Sequence, residues 1–249
     1  MVLLVTDTSG KNGFVGLVRA AEAAEPSQVE VIEEVPLAGG TFSAQLVPQI
    51  SGLLEKHGFR KTDIDAFVVV SGPGSFTGLR VGLAAIKALA EVLHKPIVPV
   101  SLLEVIARCL IWVGAAPDGG PELRYTVALD AGRGEAFVGE YTLSFADKKL
   151  TSFRSEGESL VSIRSLVELG HSGGVRRIIT PDASLLESLS KDLDLAQKRA
   201  IVLQARPRCA EVAGLGLQKL TAGETVSPEQ LEANYIRRSD AEIFSKPTA

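Results

Sequence analysis

The chain of 249 residues contains little from which a metal centre or a disulfide framework could be built. Its three histidines, His57, His94 and His171, are scattered, so neither His-Glu-x-x-His nor His-x-x-x-His occurs and a zinc or iron hydrolase would lack its ligand pair. The two cysteines, Cys109 and Cys209, stand far apart in apolar surroundings, as is typical of buried thiols in a reducing compartment. We therefore expect no metal site and a cytoplasmic location.

Excess basic charge and long apolar runs are also missing. Lysine and arginine total 26 against 30 aspartate and glutamate residues, a net charge of −4, whereas a protein that binds nucleic acid alone usually carries a basic face. The uncharged stretch 66–79 is interrupted by glycines and a proline, and no run approaches the roughly 20 apolar residues of a membrane helix. Residues 1–7 lack the basic segment that begins a secretory signal. These absences argue against a membrane protein, and any role in RNA chemistry would be shared with a partner.

Apolar segments with the lengths of strands and helices alternate along the chain. Runs at 2–6 and 14–18 flank a turn and predict a hairpin, and alternating positions predict a third strand over 28–35. The pattern continues with a helix over 46–57, a strand over 66–70, a helix over 75–93, a strand over 97–100 and a helix over 102–112. Because proline is tolerated only near a first turn, the helix over 46–57 should start or kink at Pro48. A segment rich in glycine and proline follows, and it divides the chain into an N-terminal lobe of 1–113, a linker of 114–124 and a C-terminal lobe of 125–249.

The segment 129–139 repeats the segment 6–16. In both copies an Asp ends a strand, and Phe-Val-Gly follows at the same offset. The second half continues with predicted helices over 163–169, 185–195 and 209–220 and strands over 176–180 and 200–204. Strands that alternate with helices indicate a largely parallel sheet with covered faces. We therefore predict an α/β protein that resembles the duplicated actin-like fold, the ASKHA or ribonuclease-H-like architecture, with two βββαβα lobes.

Two aspartates, Asp7 and Asp130, end the first strand of each half. In duplicated folds of this kind an Asp at that position can hold a metal or a water, which makes both residues candidates for a nucleotide site. The alternative is an ordinary turn, since Asp hydrogen-bonds the backbone two residues on without any ligand. Neither Asp is accompanied by the metal-ligand cluster that phosphoryl transfer usually needs, so the sequence leaves both interpretations open.

A glycine-rich loop, Gly-Pro-Gly-Ser-Phe-Thr-Gly-Leu-Arg, begins at Gly72 between a predicted buried strand and a predicted helix. Gly72 and Gly74, with Ser9 of the first turn, could present polar groups to an anion at the positive end of the helix. The loop is neither a Walker A motif nor Gly-x-Gly-x-x-Gly. The other interpretation is a capped helix start, in which Ser75 or Thr77 satisfies free N–H groups. The loop does not match Gly-x-Ser-x-Gly either, and no catalytic residue is assigned.

The helix after this loop carries small residues along one side, which would let another helix approach closely. Together with the amphipathic helix over 46–57 it predicts a docking face for a partner. Close packing inside the monomer would explain the same pattern. The residues expected at the docking face are Leu46, Ile50, Leu53, Gly78, Leu79, Gly82, Ala85 and Ile86.

The chain resembles the bacterial TsaB (YeaZ-like) family in five segments. They are the glycine-rich loop 72–80, Asp63-Ile64-Asp65 before it, the opening Asp7-Thr8-Ser9, Asp130-Ala131 followed by Gly-Glu, and Tyr235-Ile236-Arg237 near the end. The resemblance covers nearly the whole chain. Ala233 stands where the family usually has proline, and Phe137 stands where tyrosine is common.

The resemblance implies a non-catalytic subunit that helps to make threonylcarbamoyladenosine in tRNA. Its catalytic partner would be the paralogue TsaD, which carries a His-x-x-x-His metal site, and the ATPase TsaE would complete the assembly. The two predicted N-lobe helices would form a bundle with those of TsaD, or with a second copy in a homodimer when TsaD is absent. The tRNA would be met only through the complex. No cofactor would be bound tightly, and ATP or ADP would belong to the partner interface.

Two other function classes stay open on the sequence. One is a metallopeptidase, against which the missing histidine pair argues. The other is a stand-alone actin-like ATPase or small-molecule kinase that uses Asp7 and Asp130 and binds nucleotide by itself.

Overall fold

The computed structural model describes residues 1–21, 29–112, 122–146, 149–171, 177–191 and 201–237. These residues form strands and helices in the order β1 (Val2–Asp7), β2 (Asn12–Arg19), β3 (Glu30–Ala38), α1 (Phe42–Lys56), β4 (Ala66–Gly72), α2 (Phe76–Leu93), β5 (Ile97–Ser101), α3 (Leu102–Trp112), β6 (Glu122–Gly132), β7 (Glu135–Ala146), β8 (Lys149–Ser162), α4 (Ile163–His171), β9 (Arg177–Thr180), α5 (Ala183–Lys191), β10 (Ile201–Leu203) and α6 (Cys209–Thr221). None of the helices in these ranges is long and apolar enough to cross a membrane. Residues 114–121 of the predicted linker lie outside the described residues, and 122–124 already belong to β6.

The first sheet has the strand order β3-β2-β1-β4-β5. β1 and β2 form the predicted antiparallel hairpin, with Val5 opposite Gly16, and β3 continues it on the far side of β2. β4 and β5 run parallel to β1. All residues of β4 are buried, as expected of a central parallel strand with both faces covered.

Helices α1 and α2 cover one face of this sheet. Leu4, Val15 and Phe67 from the sheet form a core with Ile50 and Ile86 from the helices, and all five are 2% exposed or less. Burying a side chain of this size stabilises the fold by about 1.5–3 kcal/mol, so this layer fixes which side of each helix faces inward.

The start of α1 differs from the prediction. The helix begins at Phe42, six residues before Pro48, so the expectation that it starts near the proline is wrong, and the alternative of a kink at Pro48 stays a prediction. Phe42 and Leu46 are buried in the turns before Pro48 and hold them in the helix. Pro48 itself is exposed, as is Ala44 four residues earlier, so water can reach the carbonyl group that loses its helical partner.

The second sheet repeats the topology of the first, with the order β10-β9-β6-β7-β8. β6, β7 and β8 are antiparallel neighbours, while β9 and β10 run parallel to β6. α4 and α5 cover one face, where Ala128 and Val138 pack with Leu166 and Leu189. In the described residues each half therefore has the order βββαβαβα, which is the predicted βββαβα followed by one more strand and helix.

The chain divides into two compact units that do not coincide with the predicted lobes. One comprises Met1–Asp118 with Ala205–Ala233, and the other comprises Gly119–Gln204 with Asn234–Ala249. The difference is residues 205–233, which the sequence placed in the C-terminal lobe. Helix α6 lies in that segment and packs against β1, β2, β4 and β5 of the first sheet and against α3. A β carbon on Gly16 would be 2.1 Å from Sγ of Cys209, so the small residue on β2 makes room for the start of α6.

Candidate functional site

Asp7 is the last residue of β1, and its buried carboxylate contacts Ser9 and Arg206. Its Oδ1 accepts hydrogen bonds from the backbone N–H of Ser9 at 2.7 Å and from the hydroxyl of Ser9 at 2.5 Å. Nη2 of Arg206 lies 3.6 Å from Oδ2 of Asp7 and donates to Oγ of Ser9 at 2.9 Å. Asp7 is only 2% exposed, so the guanidinium supplies the countercharge that a buried carboxylate needs.

Asp130, the corresponding residue of the second unit, makes the same turn in a different setting. Its Oδ1 accepts from the backbone N–H of Gly132 at 2.7 Å, which matches the bond from Ser9 to Asp7. Asp130 is exposed, and its own N–H donates to Oδ2 of Asp182 at 2.7 Å. Both aspartates therefore serve as turn-formers, the alternative that the sequence had left open, and only Asp7 has an arginine partner among the described residues.

The glycine-rich loop packs directly on the turn that follows Asp7. The N–H of Ser75 donates to the carbonyl of Ser9 at 2.7 Å, and a β carbon on Gly74 would be only 2.2 Å from that carbonyl oxygen. The hydroxyl of Ser75 accepts from the N–H of Gly78 at 3.2 Å, which is the predicted cap of α2. The structure thus brings together four of the five candidate nucleotide residues, Asp7, Ser9, Gly72 and Gly74, within the first unit. Anion binding there stays a prediction.

The predicted docking residues lie inside the monomer. Leu46, Ile50, Leu53, Gly78, Leu79, Gly82 and Ile86 are buried, and Ala85 is partly buried. A β carbon on Gly78 would be 2.1 Å from the carbonyl oxygen of Thr8. The assignment of these seven residues to a partner surface is wrong, because the leucines and isoleucines cover the sheet and the glycines admit the turn after β1.

The comparisons with known proteins agree with this architecture. A family model described as TsaD, tRNA N6-adenosine threonylcarbamoyltransferase, matches residues 36–185 of the chain. The chain belongs to the TsaD family. This TsaD-family chain is 27% identical to the tRNA threonylcarbamoyladenosine biosynthesis protein TsaB of Bacillus subtilis, over 97% of the chain and 96% of the relative. TsaB of Escherichia coli is also 27% identical, over 79% of the chain and 81% of the relative. The resemblance to the TsaB (YeaZ-like) family is confirmed.

A solved structure supports the fold. YeaZ from Pseudomonas aeruginosa superposes with a TM-score of 0.66 over 94% of the chain and 99% of that structure. At 21% sequence identity this likeness concerns the fold alone. Together with the two sheets of identical topology, it confirms the predicted duplicated actin-like fold.

The outward sides of α1 and α2 in this TsaD-family chain carry a row of exposed residues that are small and mostly apolar. We call the α1–α2 face the residues Ala44, Val47 and Ser51 on α1 and Ala84, Ala88 and Val92 on α2, all of which are exposed. Val92 is 75% exposed and Val47 is 51% exposed. These positions recur every three or four residues and therefore share one side of each helix. The spacing of these small residues is visible in the sequence. The larger apolar residues on the opposite side of the helices have the same spacing and led to the wrong side being predicted as the docking face.

Arg206 is the residue of the site that sequence reasoning missed. It stands 197 residues beyond Ser9 and belongs to no motif that marks it. Its Nε is buried and has no hydrogen-bond partner in the part of the chain that the structure describes, while the side chain as a whole is 34% exposed. Only the packing of α6 and the segment before it on the first sheet brings this guanidinium to Asp7.

Two segments that the sequence associated with the family meet in the second unit. Arg237 of the Tyr-Ile-Arg segment forms an ion pair with Glu135 of the Gly-Glu segment and donates to the carbonyl of Gly132 at 3.4 Å. The guanidinium also lies 5.9 Å from the ring centre of Phe137. These contacts fasten the described end of the chain to the β6–β7 hairpin.

The described residues contain no group of three or more His, Cys, Asp or Glu side chains that could hold a metal ion. Cys109 and Cys209 are both buried thiols. Burial raises the pKa of the Cys109 thiol to about 12 and raises that of Cys209 as well, so neither is a ready thiolate nucleophile.

Proposed function

We propose that this chain takes part in forming threonylcarbamoyladenosine in tRNA, as a non-catalytic subunit that docks a TsaD-type partner. Relatives that it matches over most of their length are named tRNA threonylcarbamoyladenosine biosynthesis protein TsaB, and the chain belongs to the family of the transferase. The observation that carries the docking part is the exposed apolar α1–α2 face.

The physical case for docking rests on the chemistry of that face. Alanine and valine side chains are small, so a partner helix can approach to the 8–10 Å or so at which helices pack. Exposed apolar residues on two adjacent helices, α1 and α2, favour a partner that offers an apolar helical surface in return. A TsaD-type protein with the same fold would offer its equivalent helices. A second copy of this chain would offer the same face and would compete for it when the partner is absent.

The Asp7 turn supports a subunit without catalytic activity of its own. A carboxylate that is to receive a metal-bound nucleotide has to be accessible, whereas Asp7 is 2% exposed and is engaged by Ser9 and Arg206. Under the proposal, ATP or ADP would belong to the partner interface, a TsaE-type ATPase would join the assembly, and tRNA would be met through the complex. The net charge of −4 is unfavourable for binding tRNA alone, so most contacts with the tRNA phosphates would come from the partners.

The test is complex formation with the TsaD protein of the same organism. Ala88→Glu and Val92→Glu place a charge on the α1–α2 face at exposed positions, so the fold should be kept. Size-exclusion chromatography with light scattering should show a heteromer for the wild type, and titration should show affinity at least about tenfold weaker for each variant, since a charge in an apolar interface is costly. Activity of the mixture in tRNA modification should fall in parallel.

Ala183→Glu serves as the matched control, because Ala183 is exposed at the start of α5 and lies outside the α1–α2 face. It should bind the partner as the wild type does. Wild-type affinity in both Ala88→Glu and Val92→Glu would refute docking through this face. A wild-type protein that neither binds the TsaD protein nor alters tRNA modification would refute the proposed function itself.

A further inference from the structure

Phe76 and Arg80 form an exposed stack at the start of α2. The guanidinium carbon of Arg80 lies 3.7 Å from the centre of the Phe76 ring. Phe76 is 37% exposed and Arg80 is exposed as well, so the pair lies at the protein surface. Contact with the aromatic ring restricts the orientation of the planar guanidinium, so less side-chain entropy is lost when the group binds a partner. Aromatic residues and arginine are also the residue types that contribute most to binding energy in protein interfaces.

The stack lies at one end of the outward side of α2. Arg80 precedes Ala84 by four residues, and Ala84 precedes Ala88 by four, so the three side chains share one side of the helix. Glu91 follows Arg80 by eleven residues, which is about three turns, and it is exposed near the other end of the helix. The α1–α2 face therefore has a cation beside one end and a carboxylate beside the other.

The end that carries Arg80 is the N-terminal end of both helices. A β carbon on Gly78, in the first turn of α2, would be 3.2 Å from Cε2 of Phe42, the first residue of α1, so the two helices start side by side. Their first turns, which both belong to the described residues, carry no acidic side chain. Because the N-terminus of a helix favours negative charge, Arg80 does not stabilise the helix dipole, and this end of the face attracts an anionic group.

We propose that Arg80, oriented by Phe76, binds a carboxylate of the partner and thereby sets the direction in which the partner helix lies on the α1–α2 face. This inference rests on the proposed function, because it names the contact through which a TsaD-type protein docks. The planar N–H donors of a guanidinium match the two oxygens of a carboxylate. Once the partner is bound, the small apolar residues beside the pair exclude water and strengthen the interaction. A partner helix in the reverse direction would bring its carboxylate toward Glu91, and the repulsion would disfavour that complex.

The test is the affinity of the full chain for the TsaD protein of the same organism, measured by isothermal titration calorimetry. Arg80→Met keeps a long side chain that can cover the ring but removes the charge, so affinity should fall at least about tenfold. Phe76→Leu keeps an apolar side chain without the aromatic ring and should also weaken binding. Arg19→Met is the matched control, because Arg19 is 54% exposed on β2 and pairs with Glu30 outside the α1–α2 face. It should bind as the wild type does.

The partner's carboxylate is identified by a double-mutant cycle. Aspartate to asparagine and glutamate to glutamine changes on the exposed helices of the TsaD protein should include one that weakens binding to the wild type at least about tenfold and has no further effect on Arg80→Met. Wild-type affinity in Arg80→Met would overturn the proposal, as would additive losses for every partner carboxylate. A loss confined to self-association would overturn it too, and would assign Arg80 to a contact between copies of this chain. Failure of the two wild-type proteins to bind would instead refute the docking itself.

Discussion

Gly82 lies directly against Thr8. A β carbon on Gly82 would be 2.2 Å from Oγ1 of Thr8, and the same hydroxyl donates a hydrogen bond to the carbonyl of Gly78 at 2.8 Å. The small residues of α2 thus form a groove that is filled by the turn after β1. The helix places this groove toward the interior and presents Ala84 and Ala88 to the outside. Substitution of Gly82 by a large residue would therefore disrupt the monomer, and would not report on partner docking.

We expect Gly78→Ala to destabilise the protein and Gly52→Ala to stabilise it. The β carbon at position 78 would lie 2.1 Å from the backbone oxygen of Thr8, which no side-chain rotation can relieve, and overpacking of this kind costs about 1–3 kcal/mol. Gly52 lies in α1 with no atom near a β carbon, so alanine there should add about 0.5–1 kcal/mol through helix propensity. Urea unfolding of both variants measures the difference. Equal unfolding midpoints would contradict the close packing of α2 on the turn.

Arg206→Met should lower the free energy of unfolding by about 1–3 kcal/mol. Breaking a fully buried ion pair costs about 3–5 kcal/mol. We expect a smaller loss here because the Arg206 side chain is 34% exposed, so water screens the pair. Asp7→Asn in the same background should recover part of the loss, because a neutral amide needs no countercharge. A double-mutant cycle by urea unfolding tests this, with Asp130→Asn as the exposed counterpart that should change stability by less than about 0.5 kcal/mol. Strict additivity of the Asp7 and Arg206 substitutions would refute the pairing.

Stability should decrease in acid partly through Glu33. Hydrogen bonds from Lys56 at 2.8 Å and His57 at 2.6 Å lower the pKa of the Glu33 carboxyl below its ordinary value of 4.5. A carboxyl with a lowered pKa in the folded state stabilises the protein at pH values above its ordinary pKa, and this contribution is lost as pH falls through the lowered pKa. Glu33→Gln should therefore flatten the decline in urea midpoint below about pH 4.5. Glu55→Gln is the control, because Glu55 is exposed on α1, and its urea midpoint should decline in acid as that of the wild type does. An identical decline in the wild type and in Glu33→Gln would contradict the stabilising role of Glu33.

Both cysteines should resist thiol reagents in the folded protein. Burial raises the pKa of Cys109 to about 12, and the thiolate is the reactive form, so little of it exists near neutral pH. Titration with a thiol-reactive disulfide dye should show no rapid reaction in native buffer and two reactive thiols per chain in denaturant. Rapid modification of the native protein would mean that one of these sites opens readily. A Cys109→Ser variant would show which one.

Element order was predictable because apolar periodicity records burial directly. The helix expected over 75–93 is observed at Phe76–Leu93, and the one expected over 102–112 is observed at Leu102–Trp112. The repeat of segments 6–16 and 129–139 likewise predicted two hairpins, and both formed. The start of α1 was predicted wrongly because the rule for proline considers only local hydrogen bonding. Burial of Phe42 in the core stabilises the helical turn before Pro48, and this contact belongs to the tertiary structure.

The sequence by itself determined the α/β class, the duplication and the family, since these depend on residue order and on local patterns of burial. Tertiary structure alone decided which side of α2 faces outward, because glycine fits both a partner helix and the turn after β1. It also decided that α6 joins the first unit and that Arg206 reaches Asp7. Contacts between residues nearly 200 positions apart depend on how strands and helices pack, and no local pattern in the sequence records that packing.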